Sequence, residues 1–242
     1  MNLTTVILGL YLGSAALAWL TDSRHCRLLL FPALIGHSGQ LLASSLKTGH
    51  LPVFTAIETL SGISLTIGWL TFFTKWHDRD QIPVRRFALT LIILLVAATC
   101  FWPPAAPCYD YNHSYPYAVA FHLFRRLALA LALFAGAVFM AALASPSAFS
   151  ESAAKLRYQG RNTIMAAMLI YLLSEDAGII WCLRGWADIW HWSPNFVIST
   201  MVLIYLMLAL HLPGGSRKPG RWYSLVGLSC GPLMLIAQLC KF

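Results

Sequence analysis

The sequence predicts an all-α membrane protein, a helical bundle of about eight transmembrane helices with both termini outside the cytoplasm. Three observations predict this fold class. Of the 242 residues, 58% are hydrophobic and only 11% are charged, whereas a soluble domain is nearer a quarter charged. The apolar residues form eight blocks of membrane-spanning length. The basic residues gather in alternate connections between those blocks, as they do in multi-pass membrane proteins.

Each apolar block has roughly the 20 residues that a helix rising about 1.5 Å per residue needs to cross about 30 Å of hydrocarbon. The predicted spans are 3–21, 28–46, 54–74, 87–103, 117–143, 163–182, 195–212 and 222–240. The first block has no Lys or Arg before it and no sharp cleavage site after it, so it is expected to be a span and not a secretory signal. The polar connections have room only for loops. The sequence therefore predicts a single transmembrane domain over 1–242.

The basic residues predict the orientation, because short loops rich in Lys and Arg stay in the cytoplasm. Twelve of the 17 basic residues fall in alternate loops, which are thereby predicted to be cytoplasmic: Arg24, Arg27, Lys75, Arg79, Arg85, Arg86, Lys155, Arg157, Arg161, Arg217, Lys218 and Arg221. The connections on the opposite side hold only Lys47 and Arg184. This sorting explains the formal net charge of +8. No nucleic-acid partner is predicted from it, and the lipid bilayer is the expected environment.

Three stretches on the predicted outer side are unusual in composition. They are 48–52 before the third span, 108–117 before the fifth and 181–194 after the sixth. The last stretch contains four of the nine tryptophans: Trp181, Trp186, Trp190 and Trp192. An aromatic belt at the membrane interface would scatter these rings over all the spans. On a short interfacial helix Trp186 and Trp190 would share a face, so the stretch predicts a flat apolar surface suited to a large planar ligand.

The spacing of these tryptophans resembles that of the cytochrome c assembly family of haem-handling membrane proteins, whose outer segment has the form W-x4-W-G-x-Y-W-x-W-D-P. The matching residues here are Trp181, Trp186, Trp190, Trp192 and Pro194. The resemblance covers most of the chain. Outside the tryptophan segment it rests on Gly49-His50-Leu51-Pro52 with Glu58, on His122, on 205–211 and on 217–222.

In its length, in its ending and in His37 within the second span, the chain looks more like the short YpjD-type inner-membrane proteins of the same superfamily. It departs from the tryptophan motif at Ala187, Ile189, Ser193 and Phe196, and it lacks the second outer histidine of the family's cytochrome c synthases. The resemblance implies a bacterial inner-membrane protein that presents non-covalently bound b-type haem at its outer face for cytochrome c assembly. It also implies a membrane partner subunit and an apocytochrome c as partners, with no enzyme activity of the chain alone.

His122 is the predicted axial ligand of that haem, since a haem requires an imidazole, a flat apolar pocket and cationic partners for its propionates. Arg125 and Arg126 follow three and four residues later, so they share one side of a helix with His122. We expect Arg125 or Arg126, together with Arg184, to bind propionate bidentately. The alternative is that the two arginines reach the lipid headgroups or pair with the acidic residues at 175–176.

Three more histidines are candidate ligands. His37 in the second span and His211 near the inner end of the seventh would bind haem iron together if their helices faced each other. That pair would make the protein a b-type cytochrome for electron transfer between quinone and an outer partner, which is one alternative function. A haem-free membrane scaffold of the same fold is the other. His50 is a candidate second outer ligand, and Glu58 is expected to hydrogen-bond to backbone or to a histidine.

Overall fold

The structure, a computed structural model, describes residues 3–21, 25–76, 78–102, 115–145, 150–186, 194–212 and 221–239. Within these residues the chain forms eight α-helices and no β-strand. The helices are α1 (Leu3–Thr21), α2 (Cys26–Thr48), α3 (Ala56–Phe72), α4 (Gln81–Phe101), α5 (Pro116–Leu143), α6 (Glu151–Trp186), α7 (Pro194–His211) and α8 (Arg221–Leu239). The all-α class is confirmed, and each predicted apolar block corresponds to one helix.

Two helices begin well before their apolar blocks. α4 begins at Gln81 where the block begins at 87, and α6 begins at Glu151 where the block begins at 163. Hydropathy identifies only the part of a helix that lies in hydrocarbon. The polar first turns of both helices are therefore absent from the sequence prediction.

Six of these helices are long and apolar enough to cross a membrane: α1, α2, α4, α5, α6 and α8. The chain is thus built as a multi-pass membrane protein. α3 and the apolar segment Phe196–His211 of α7 are shorter. For these two helices, membrane crossing stays a prediction.

α5 is the central helix of the bundle. It packs against α3, α4, α6 and α8. Of the six long apolar helices, it is the most buried, with 78% of its most apolar segment inside the bundle. Most of the buried positions in its second half are alanine, with Gly136 among them. Small side chains let helix backbones approach closely, which is how helices associate where lipid is as apolar as the protein.

The other helices form two groups joined by α5. In the first group, α1 and α3 each pack against α2 and α4. In the second, α7 packs against α6 and α8. Successive helices run in opposite directions, so the connections alternate between two ends of the bundle. We call the end with the α2–α3, α4–α5 and α6–α7 connections the His122 end, and the opposite end the Asp78 end.

At the Asp78 end, the polar first turns of α6 are bound to the connection between α3 and α4. Lys155 Nζ donates to the carboxylate of Asp78 at 2.8 Å and to that of Asp80 at 3.3 Å. Ser152 Oγ donates to Asp80 Oδ1 at 2.6 Å. These partners explain why α6 continues as a helix beyond its apolar block.

α8 touches the backbone of α5 at Gly231. A Cβ at this position would lie 2.7 Å from Leu133 Cα and 2.9 Å from Leu133 N. A backbone cannot move aside as a flexible side chain can, so any larger residue at 231 would separate the two helices.

Replacing Gly231 with alanine is therefore expected to destabilise the protein by about 1–3 kcal/mol, the usual cost of overpacking. The measurement is the midpoint of thermal unfolding in detergent. Gly9→Ala in α1 is the matched control, because a Cβ at Gly9 would meet no atom within 4 Å. Equal midpoints for the two variants would show that α8 does not need glycine at position 231.

The contacts of Asp78 predict a pH dependence of stability. The hydrogen bond from Lys155 lowers the pKa of the Asp78 carboxyl below its ordinary value of 3.8. A carboxyl whose pKa is lower in the folded state stabilises the fold above its unfolded pKa, and this contribution is lost as the pH falls through the folded value. Asp78→Asn should therefore lose less thermal stability than the wild type between about pH 5 and pH 3. Lys155→Met removes the same pair and should give the same flatter profile; a wild-type profile in both variants would contradict the prediction.

Candidate functional site

His122 lies in the second turn of α5, at the centre of a cluster of aromatic rings. Its ring centroid is 5.1 Å from that of Phe54, 5.1 Å from that of Phe121 and 6.1 Å from that of Trp181. These rings come from the connection before α3, from α5 and from α6. Three separate parts of the chain therefore bring aromatic rings together around a half-buried imidazole.

The connection before α3 is held in shape by Glu58. The backbone N–H groups of Phe54 and Thr55 donate to Glu58 Oε2 at 2.8 and 2.9 Å. In return, Glu58 N donates to Thr55 Oγ1 at 3.2 Å, which completes a capping box at the start of α3. The expectation that Glu58 hydrogen-bonds to backbone is confirmed. Its effect on the site is to fix Phe54, whose ring contacts His122.

Arg126 attaches the same connection to α5. Its guanidinium donates to the carbonyl oxygen of Pro52 and, at 3.2 Å, to that of Thr55. The side chain is only 5% exposed. The Pro52 carbonyl precedes α3, whereas the Thr55 carbonyl also accepts the first hydrogen bond of the helix, from Thr59 N at 2.9 Å. Arg126 thus helps to position Phe54, and its predicted role in propionate binding stays a prediction.

Arg125 joins α5 to α6 and α7. Its Nη2 forms an ion pair with the carboxylate of Glu175 and donates to Ser199 Oγ at 2.7 Å. The guanidinium carbon also lies 4.3 Å from the centre of the Phe121 ring. Pairing with Glu175 was the alternative to propionate binding, and the structure shows that pair. A buried charge is tolerated only when it is paired and hydrogen-bonded, as this one is.

Arg184 differs from these two arginines because it is exposed. It lies near the end of α6, with its guanidinium carbon 5.6 Å from the centre of the Tyr117 ring. Tyr117 is in the first turn of α5, five residues before His122. Of the three arginines predicted to bind propionate, Arg184 is the exposed one.

The close contact between α5 and α6 positions Phe121, the neighbour of His122. Ser174 Oγ donates to the Phe121 carbonyl at 3.0 Å. One turn further along α6, a Cβ at Gly178 would lie 2.8 Å from Cδ2 of the Phe121 ring. Glycine at 178 therefore lets this ring lie flat against α6.

His50 also contacts Phe54. Its ring centroid is 5.8 Å from that of Phe54, and its Nδ1–H donates to the carbonyl of Leu51 at 2.9 Å. With the proton on Nδ1, the neutral ring has its basic lone pair on Nε2, the nitrogen that binds metals in this tautomer. The structure thus brings His50 and His122 into contact with the same phenyl ring.

His37 and His211 are not brought together, and the predicted pair of iron ligands is corrected. His37 is buried, with Nδ1 hydrogen-bonded to the Tyr11 hydroxyl at 3.1 Å and Nε2 to Ser61 Oγ at 2.7 Å. His211 is exposed at the Asp78 end, and its Nδ1–H donates to Met207 O at 2.7 Å. α2 packs against α1 and α3, whereas α7 packs against α6 and α8. The two imidazoles belong to different helix groups and lie at different depths.

Part of the tryptophan segment lies outside the described residues. Trp181 belongs to α6, which continues to Trp186. Trp190 and Trp192 fall outside the described residues, as do His113 and His191. The flat tryptophan surface stays a prediction.

Sequence reasoning missed Phe54, Phe121 and Tyr117 as parts of this site. A usable signal existed for Phe54, because it directly precedes the Thr55-x-x-Glu58 capping box that marks the start of α3. For Phe121 and Tyr117, the contacts depend on how α5 packs on α6, which helical periodicity does not specify.

No protein-family model matches the chain, and no curated protein is similar to it. The fold defines a multi-pass membrane protein of the all-α class. The site is a cluster of aromatic rings around His122. The Arg125–Glu175 ion pair lies about one turn further along α5, and the exposed Arg184 lies near Tyr117.

Gly178→Ala is expected to displace the Phe121 ring and loosen the first turns of α5. The measurement is hydrogen–deuterium exchange of peptides covering 116–122, which should become faster in the variant. Gly185→Ala is the matched control on the same helix, since a Cβ there would meet nothing within 4 Å. If both variants exchanged at the wild-type rate, Gly178 would have no part in positioning Phe121.

Proposed function

We propose that this protein binds haem at the His122 end and presents it at the outer face of the membrane as a haem-handling component of cytochrome c assembly. The main support is the placement of His122 among Phe54, Phe121 and Trp181, since an imidazole against aromatic walls is what a non-covalently bound haem requires. The tryptophan spacing of 181–194 supports the same proposal independently.

The residues present fit a haem in their chemistry. His122 would supply the axial imidazole and the three neighbouring rings an apolar wall. Arg184 would pair with a propionate, in place of Arg125 and Arg126, whose guanidinium groups hold Glu175 and the 52–55 backbone. When bound, the haem would supply its vinyl groups and iron to a downstream acceptor.

His50 is the proposed second ligand. The Phe54 ring contacts both imidazoles, with centroid distances of 5.8 Å to His50 and 5.1 Å to His122. His50 and His122 would therefore hold the haem from neighbouring parts of the chain.

The proposed topology has eight membrane crossings, with both termini on the outer side of a bacterial inner membrane. The Asp78 end carries Lys75, Arg79 and Lys155, which favours its placement in the cytoplasm. α3 packs against α2, α4 and α5. A helix enclosed by other helices faces little lipid, so α3 can be shorter than a span at the edge of the bundle.

The proposed partners are a membrane subunit and an apocytochrome c. Thioether formation requires a CxxCH sequence in the acceptor, and this chain contains no such motif. The chain is therefore proposed to hold and orient haem, with the covalent step performed together with a partner.

Titration of the purified protein with haemin tests the proposal. The wild type should develop a Soret band, and His122→Ala should bind at least about tenfold more weakly, because it loses the axial bond. Arg184→Gln should weaken binding about two- to fivefold, the usual range for an exposed ion pair. His211→Ala is the control, because this histidine is exposed at the opposite end.

A folded wild-type protein that stays colourless with excess haemin would overturn the haem proposal. A Soret band of wild-type strength in His122→Ala would overturn the assignment of His122 as the ligand. Thermal unfolding of each variant distinguishes loss of the ligand from loss of the fold.

A further inference from the structure

A second site lies in the first helix group, apart from the aromatic cluster around His122. It is a cavity of about 400 Å³ at the His122 end, between α1, α2, α3 and α4. Its lining residues are Thr4, Thr5, Ile7, His37, Gln40, Ile57, Ser61, Val96, Thr99 and Cys100. Thr5 and Cys100 in its lining are exposed, so the cavity is open and a ligand can enter it.

The lining of this cavity is polar but uncharged. None of the described residues that line it is Asp, Glu, Lys or Arg. A charged ligand would lose its hydration here without gaining an ionic partner, which is strongly unfavourable. The lining therefore selects a neutral ligand that forms hydrogen bonds.

The polar groups of the cavity are held in place by contacts between helices. His37 is fixed by the Tyr11 hydroxyl at 3.1 Å and by Ser61 Oγ at 2.7 Å. Gln40 Nε2 donates to Thr4 Oγ1 at 2.9 Å. His37 and Gln40 are three residues apart on α2, so they lie on one face about one turn apart. Both ring nitrogens of His37 are thereby engaged within the protein. The groups left to donate to a ligand are the second N–H of Gln40 Nε2 and, when His37 donates to it, the Ser61 hydroxyl.

The apolar lining residues lie on other helices. Ile7, Ile57 and Val96 come from α1, α3 and α4 and provide walls for a flat ring. Beside Thr4 and Thr5 on α1, Leu3 and Val6 are exposed, at 53% and 36% of their surface. An exposed apolar surface next to the cavity would suit a hydrocarbon tail that lies in lipid.

We propose that this cavity binds the headgroup of a membrane quinone. A quinone ring is planar and neutral, and its carbonyl oxygens can accept hydrogen bonds from the Gln40 amide and the Ser61 hydroxyl, which line the cavity. Its tail would leave along the apolar surface of α1. This site shares no residue with the His122 cluster, so the inference stands whether or not haem binds there.

Protection of Cys100 from alkylation tests the proposal. Cys100 lines the cavity, whereas Cys182 is on α6 and serves as an internal control. The full-length protein in lipid nanodiscs is reduced, freed of reductant and treated with N-ethylmaleimide, with or without decylubiquinone, whose fully substituted ring does not add thiols. Peptide mass spectrometry should show labelling slowed several-fold at Cys100 and unchanged at Cys182.

Two variants make the test specific. Gln40→Leu and Ser61→Ala each remove a hydrogen-bonding group and should raise the decylubiquinone concentration needed for protection about tenfold. Gln159→Leu is the matched control, because Gln159 is partly buried at the Asp78 end and bonds to Gln81. His122→Ala should retain full protection, which separates this site from the haem proposal.

Three outcomes would overturn the quinone site. One is unchanged labelling of Cys100 at saturating decylubiquinone. Another is equal protection by decylbenzene, which has the tail and a ring but no carbonyl and would indicate a lipid-filled crevice. The third is wild-type protection in both Gln40→Leu and Ser61→Ala, with thermal unfolding showing that the variants are folded.

Discussion

The structure of the His122 end depends on compensating two adjacent positive charges inside an apolar helix. Arg125 and Arg126 are each 5% exposed, and a charge at that depth costs several kcal/mol unless it is paired. The two guanidinium groups are stabilised by different partners. Arg125 binds Glu175 and Ser199, and Arg126 binds the carbonyls of Pro52 and Thr55. These contacts join one turn of α5 to α6, α7 and the start of α3. The aromatic cluster around His122 forms where these parts meet.

This arrangement relates the packing of α5 to the chemistry of the site. The alanine-rich second half of α5 allows close approach of its neighbours, while its first half provides the arginines and His122. Glu58, in the first turn of α3, also contributes, because it accepts hydrogen bonds from the backbone N–H groups of Phe54 and Thr55. The imidazole is thus positioned by side chains that do not touch it.

The helices could be predicted from the sequence because eight apolar blocks match eight helices to within a few residues, apart from the polar starts of α4 and α6. Those starts are stabilised by contacts such as Lys155 with Asp78, which hydropathy does not represent. At the site, the family resemblance indicated His122 and Glu58, and the charges within an apolar span indicated both arginines. The ion pair with Glu175 was one of the alternatives. The predicted pairing of His37 with His211 was wrong, because the periodicity of apolar residues predicts helices but not which helices pack against each other. The bonds of His37 to Tyr11 and Ser61 likewise arise only from the packing of α1, α2 and α3.

α6 extends without a proline over 36 residues, about 54 Å at 1.5 Å per residue, whereas the hydrocarbon layer is about 30 Å thick. Its first turns are clamped by Asp78 and Asp80, and its last turns bear Trp181 and Arg184. A helix this much longer than the hydrocarbon layer must tilt or project beyond it. Its two ends therefore reach the polar regions on both sides of the bilayer, where Lys155 binds the Asp78 end and Trp181 meets His122.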